Sequence, residues 1–230
     1  MDKGKVTICL CSSRAIIDRE KVVGISQALY EAGYTVNVEA DLCEKAISDF
    51  SGMETIAGST VIACYPRAVY SLFDRLNLRP AGVADIRNGS MEDVLNCFDL
   101  MKIRESKSFT AEMDALPRKP GRDVWYPVID RERCSGCGKC YDFCLFGVYS
   151  YENGVTEVSR PTQCKINCPA CARTCPEKAI IFPKYEKAPI NGGLTDDEPV
   201  SVNPRLLYNE ALRYRLDQRR RSVSLLKKEP

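Results

Sequence analysis

Eight cysteines crowd into the stretch from Cys134 to Cys175, in two runs of four. The first run is Cys134-Ser-Gly-Cys137-Gly-Lys-Cys140-Tyr-Asp-Phe-Cys144. The second is Cys164-Lys-Ile-Asn-Cys168-Pro-Ala-Cys171-Ala-Arg-Thr-Cys175-Pro176. Gly136 and Gly138 permit tight turns and expose backbone N–H groups to the neighbouring sulfurs. The whole chain carries 13 cysteines, an odd number that leaves no complete disulfide pairing. Its opening residues, Met1-Asp-Lys-Gly-Lys, lead into Val6-Thr-Ile-Cys-Leu10, an apolar run too short for a signal peptide, and no stretch reaches spanning length. The expected location is therefore the cytoplasm. Thiols stay reduced there, and cysteines read as metal ligands before they read as disulfides.

The first run has the C-x2-C-x2-C-x3-C spacing by which bacterial iron–sulfur proteins hold cubane clusters. Zinc is the alternative, since paired C-x-x-C knuckles also bind it, but four-cysteine runs with three residues before the last fit two zinc pairs poorly. Over roughly residues 126–183 the chain resembles the two-cluster bacterial ferredoxin family. That resemblance implies a small α+β ferredoxin-like domain, placed at 127–187, with two 4Fe-4S clusters. In this pattern the fourth cysteine of each run serves the other cluster. One cluster is then held by Cys134, Cys137, Cys140 and Cys175, and the other by Cys164, Cys168, Cys171 and Cys144. Leu145 stands where the family has proline, and Asn167 lengthens the first gap of the second run by one residue.

The N-terminal part reads differently. Short apolar runs at Lys5–Leu10, Tyr34–Glu39, Thr60–Cys64 and Ala81–Ile86 predict strands. Helical patterns at Arg19–Ala32, Arg67–Leu76 and Met91–Lys102 lie between and after them, with Asp18 as an N-cap and Gly33 as a stop. This alternation predicts an α/β domain with a parallel sheet over residues 1–116. Cys9 and Cys11 end the first strand, Cys43 follows the second and Cys64 closes the third. The carboxyl ends of parallel strands share one edge, so these four thiols converge there, in the number a third 4Fe-4S cluster needs. Two plainer readings stay open. The four are buried as small core side chains, or Cys9 and Cys11 form a dithiol switch. Cys97, mid-helix and unpartnered, reads as core.

These same positions resemble the N-terminal domain of the flavin-containing subunit of heterodisulfide reductase, over about residues 1–105. The elements that carry the likeness are Cys9-Leu-Cys11, Asp41-Leu-Cys43 and Ala63-Cys64-Tyr-Pro66-Arg67, with Ser12 where that family has glycine. The resemblance implies a component of a multisubunit reductase that takes in or gives out electrons. That family's flavin domain has no counterpart in this sequence. No G-x-G-x-x-G fingerprint occurs, so no flavin or nicotinamide cofactor is expected in this chain.

Three prolines and a glycine between Leu116 and Pro127 mark a linker at 117–126. Asn153-Gly154, between two alternating runs, predicts a hairpin. Residues 188–230 read as an extended helical C-terminal arm, and Arg205–Pro230 carries a net charge of +5. The arm is either a helix packed on its own domain or a docking segment. Histidine is absent, which removes the usual haem ligand and proton shuttle. The function expected is an iron–sulfur electron-transfer subunit that relays single electrons, its partner a catalytic or flavin-containing oxidoreductase subunit. No catalytic residue, membrane or nucleic acid enters this expectation. A free-standing ferredoxin-like carrier, an iron–sulfur sensor and an assembly factor are the alternatives.

Overall fold

β-Branched runs separated by helices build a four-stranded parallel sheet from β1 (Lys5–Cys9), β2 (Thr35–Glu39), β3 (Thr60–Ala63) and β4 (Gly82–Asp85), in the order β2-β1-β3-β4. The computed structural model describes residues 3–100 and 122–194, which fall within one compact unit. Val6, Ile8, Val61 and Ile62 of the two central strands are at most 1% exposed, as strands covered on both faces require. Helix α1 (Arg19–Glu31) starts at Asp18, whose carboxylate accepts from the Glu20 N–H at 3.0 Å, and buries Val22, Ile25 and Leu29. Helix α4 (Pro66–Asp74) follows β3 with proline in its first turn and buries Val69, Leu72 and Phe73.

The β2–β3 crossing holds two helices that sequence periodicity does not announce, α2 (Leu42–Ser48) and α3 (Phe50–Ala57). Asp41 and Asp49 cap them through Glu44 N–H and Gly52 N–H. After β4, helix α5 (Met91–Asn96) begins with a Ser90/Asp93 capping box and ends at Cys97. The position of Cys97 corrects one expectation. It is exposed, its Sγ facing the Asp93 carbonyl at 3.4 Å, because the helix stops before it is carried back into the core.

In the cysteine-rich segment β5 (Val128–Ile129) pairs antiparallel with β8 (Ile180–Ile181). Between them lie α6 (Lys139–Phe143), the hairpin of β6 (Ser150–Glu152) and β7 (Val155–Glu157), and α7 (Ala170–Thr174). Asn153 and Gly154 turn the hairpin at φ 51° and 78°, the positive pair that a two-residue loop matched to strand twist needs. Trp125 stacks on Phe182 at 5.1 Å, beside Tyr149 and Val148.

The two parts share packing. Tyr126, Val128 and Ile181 join the larger core with the parallel sheet and its helices. Tyr126 and Trp125 lie at the end of the stretch read as a linker and are 4% and 6% exposed. Arg67 pairs with Asp130 at 2.5 Å and donates to the Lys178 carbonyl. Arg87 donates to the carbonyls of Pro183 and Tyr185 at 2.8 and 2.7 Å. Residues 188–194, the start of the expected arm, include Asn191, fully buried and donating to the Glu186 carbonyl. The basic stretch 205–230 and the first half of the expected linker, 117–121, lie outside the described residues. No helix among the described residues is long and apolar enough to cross a membrane.

Candidate functional site

Strand order decides where the sheet can hold a ligand. From β1 the chain crosses to β2 on one side, then returns to β3 on the other, so the carboxyl ends of β1 and β3 flank the point where the direction of winding reverses. Cys9 is the last residue of β1 and Cys64 the first after β3. Cys11 sits at φ 47°, a left-handed turn that folds the chain back just past the strand. Cys43 comes from the first turn of α2, which Asp41 caps. All four cysteines line one cavity, with Ala63, Val69 and Leu72 as its apolar wall and Pro183 from the cysteine-rich segment.

The surroundings of these thiols are mostly buried, and one sulfur accepts a backbone hydrogen bond. Cys9, Cys11 and Cys43 are buried, and the Leu42 N–H donates to Cys9 Sγ at 3.4 Å. Burial pushes Cys9 up to about 12, with Asp41 adding to it, and Cys64 up to about 11, with Arg87 working against the rise. Cys11 and Cys43 are raised too, first by burial and then by nearby negative groups. A bound metal cation favours the thiolate and so opposes this rise. Lys184 is buried beside them, its Nζ on Asp41 Oδ2 at 2.7 Å and donating to Ser13 Oγ at 2.7 Å. The Tyr126 hydroxyl donates to the Cys43 carbonyl at 2.6 Å.

The cysteine-rich segment builds its sites from two short helices. Each carries the third cysteine of its run, Cys140 in α6 and Cys171 in α7, and each ends on the fourth, Cys144 and Cys175. Four residues along a helix advance about 6 Å, so the two thiols of one helix are offset along its axis. Cys175 accordingly lines a cavity with Cys134, Cys137 and Cys140 from the other run. The Ala179 N–H donates to Cys175 Sγ at 3.3 Å, and burial pushes Cys140 up to about 11. Gly136 stands at φ 69°, and a Cβ there would lie 2.2 Å from the Gly154 carbonyl oxygen, so this turn admits no side chain.

The remaining four cysteines also meet. Cys164 is pushed up to about 12 by burial and by the charges of Cys168 and Cys144, while Cys171 is raised by burial and feels Cys164 and Cys144. The buried Tyr149 hydroxyl donates to Cys171 Sγ at 3.0 Å. Among the described residues no group of three or more His, Cys, Asp or Glu is drawn together around a single metal ion. A cubane asks for a wider set, because each thiolate binds a different iron. The twelve cysteines singled out by spacing and by strand ends thus fall into three groups. Sequence reasoning missed Tyr149, Lys184, Trp125, Tyr126 and Arg14, whose partners are remote in the chain.

A family model for the 4Fe-4S binding domain matches residues 127–147. The chain is 51% identical over 73 residues to an uncharacterized ferredoxin of Methanocaldococcus jannaschii, a match covering 31% of this chain and 49% of that protein. A second uncharacterized ferredoxin of the same organism is 42% identical over 58 residues, 24% of this chain and 74% of the relative. The pyruvate synthase subunit PorD of that organism is 37% identical over 62 residues, 26% of this chain and 70% of the subunit. The matched span is about half the length of the first of these relatives.

Proposed function

This chain belongs to the ferredoxin family, and we propose that it relays single electrons between redox partners through three 4Fe-4S clusters, within a larger oxidoreductase complex. A bound 4Fe-4S cubane supplies a one-electron couple, tuned by hydrogen bonds to its sulfurs and by solvent exposure. The chain's own residues supply the rest. Cys134, Cys137, Cys140 and Cys175 hold one cluster, Cys164, Cys168, Cys171 and Cys144 the second, and Cys9, Cys11, Cys43 and Cys64 the third. Apolar walls from α4 and the lid formed by Pro183 keep water from the N-terminal thiols.

The observation that carries this reading is the lining of one cavity by four cysteines, from the ends of β1 and β3 and the first turn of α2. It agrees with the likeness of the first hundred residues to the N-terminal domain of the heterodisulfide reductase flavin subunit. A relative that is itself part of pyruvate synthase supports placement in a larger enzyme, with a catalytic or flavin-containing partner. Anaerobically purified protein is expected to carry about 12 iron atoms per chain, and the Cys9→Ser/Cys11→Ser variant about eight. Iron near eight in fully reconstituted wild-type protein, unchanged by that double substitution, returns the N-terminal cysteines to the core. Purification from the native host is expected to bring the catalytic subunit with it.

A further inference from the structure

Two sites that are distant in sequence are tied together through adjacent residues. The Tyr126 hydroxyl donates to the carbonyl of Cys43, in the N-terminal site. Its neighbour Trp125 donates from Nε1 to the carbonyl of Cys168, in the second ferredoxin site, at 3.3 Å. A single peptide link therefore joins the side chains that grip the ligand backbone of both sites.

A second tie runs from the loop after β1. Arg14, just beyond Cys11, donates from Nη2 to Asn167 Oδ1 at 2.8 Å, and its guanidinium lies over the Trp125 ring at 4.7 Å. Asn167 is the residue that lengthens the gap between Cys164 and Cys168, and it stands at φ 61°. The extra residue thus gives the N-terminal part a handle on this cysteine loop. A third tie is packing. Of the eight ferredoxin cysteines, Cys164 is the one that packs against both cores.

The cavity of Cys134, Cys137, Cys140 and Cys175 is lined wholly from within the cysteine-rich segment. Arg67 reaches that side through Asp130 and the Lys178 carbonyl, neither of which is a ligand residue. Cys137 is exposed there.

We infer that the site of Cys144, Cys164, Cys168 and Cys171 is the middle member of a linear relay. The N-terminal site is at one end and the Cys134 site, with its exposed Cys137, at the other. The inference rests on the proposed third cluster. Each transfer moves one electron: the site that gives it up is oxidised by one, its neighbour is reduced by one, and no proton or ligand leaves. A low-potential one-electron donor protein fills the chain at one end, and an oxidised acceptor protein empties it at the other.

The test uses the full chain, purified anaerobically, reduced with dithionite and read by paramagnetic resonance. The N-terminal signal is identified by its loss in Cys9→Ser/Cys11→Ser, and its spin coupling to a neighbour is followed in two further variants. Cys134→Ala/Cys137→Ala, which strips the far site, is expected to leave that coupling in place. Cys164→Ala/Cys168→Ala, which strips the middle, is expected to abolish it and leave an isolated signal. Should the second variant fail to fold, the first decides alone: retained coupling supports the order, and an isolated N-terminal signal overturns it. Coupling that survives in both variants also overturns a linear order. Iron near eight per chain with no N-terminal signal overturns the third site itself, and the relay with it.

Discussion

Tyr149 offers the sharpest test of how this chain tunes a cluster. Its hydroxyl is buried, with the residue 2% exposed, and donates to Cys171 Sγ at 3.0 Å. Tyr149→Phe removes one O–H and keeps the ring, so the packing with Val148 and Phe182 survives. A hydrogen bond to a charged acceptor contributes about 1.5–3 kcal/mol. What sets the potential is the part that grows when the acceptor becomes more negative on reduction. With roughly a third of the total in that part, about 0.5–1 kcal/mol, the conversion of about 59 mV per tenfold for one electron gives a fall of about 20–40 mV. The assay is a potentiometric titration with paramagnetic readout of each cluster. The shift is expected at the cluster held by Cys171 and not at the one held by Cys134. An unchanged potential, a rise, or a shift confined to the other cluster refutes the reasoning. The pH dependence follows from the same burial. Desolvation first, and then the Cys171 charge, raise the Tyr149 phenol well above its ordinary value of 10. A raised phenol keeps its proton to higher pH, so it remains a donor throughout pH 7–9. The difference between wild type and variant is therefore expected to be the same at both ends of that range, and convergence at pH 9 counts against it.

Two further outcomes bear on the site and on its support. Cys175→Ser is expected to damage the cluster whose other ligands are Cys134, Cys137 and Cys140; loss of the Cys164 cluster instead, seen by spectroscopy, contradicts the crossed assignment. Lys184→Met leaves Asp41, with a side chain 1% exposed, without its cation, and removing one partner of a buried pair costs about 3–5 kcal/mol. Asp41→Asn in the same chain is expected to recover much of that cost. Denaturant midpoints of the anaerobic protein, followed by Trp125 fluorescence, measure both, and a single-variant loss below about 1 kcal/mol removes the pair from the fold's supports.

What the sequence disclosed, and what it hid, divides along the range of the interactions. The parallel strands and α1 announce themselves because β-branched runs, Asp18 and Gly33 act on their own neighbours. Asn153-Gly154 does the same for the hairpin. The crossing between β2 and β3 does not, because it breaks into helices of 7 and 8 residues around Asp49, which ends one and caps the next. Neither is long enough to repeat a helical face, so no period stands out. The twelve cysteines were legible through spacing and strand ends. Lys184 was not: it meets Ser13 across 171 residues. Arg14 meets Asp123 across 109, and Tyr126 meets Cys43 across 83. A lysine in a loop carries no local mark that it will be buried on an aspartate from another part of the chain.

Those long-range contacts share one location. Arg14 follows Cys11 after β1, Asp41 opens α2 after β2, Arg67 sits in α4 after β3, and Arg87 follows β4. All four come from the carboxyl edge of the parallel sheet, and each binds the cysteine-rich segment or the residues leading into it. The edge that gathers the N-terminal thiols is therefore also the face on which the ferredoxin part is seated. This coincidence has a physical consequence. A sheet edge left open to water would leave Cys64 and its neighbours hydrated, whereas Pro183 and Lys184 cover the cavity from the other part of the chain. In the proposed three-cluster reading, solvent exposure is one of the terms that set cluster potential, so this seating would adjust the N-terminal site, which Tyr126 and Trp125 tie to the second cysteine set. In that reading, the same loops that close the N-terminal site also hold it at a fixed separation from the second cysteine set.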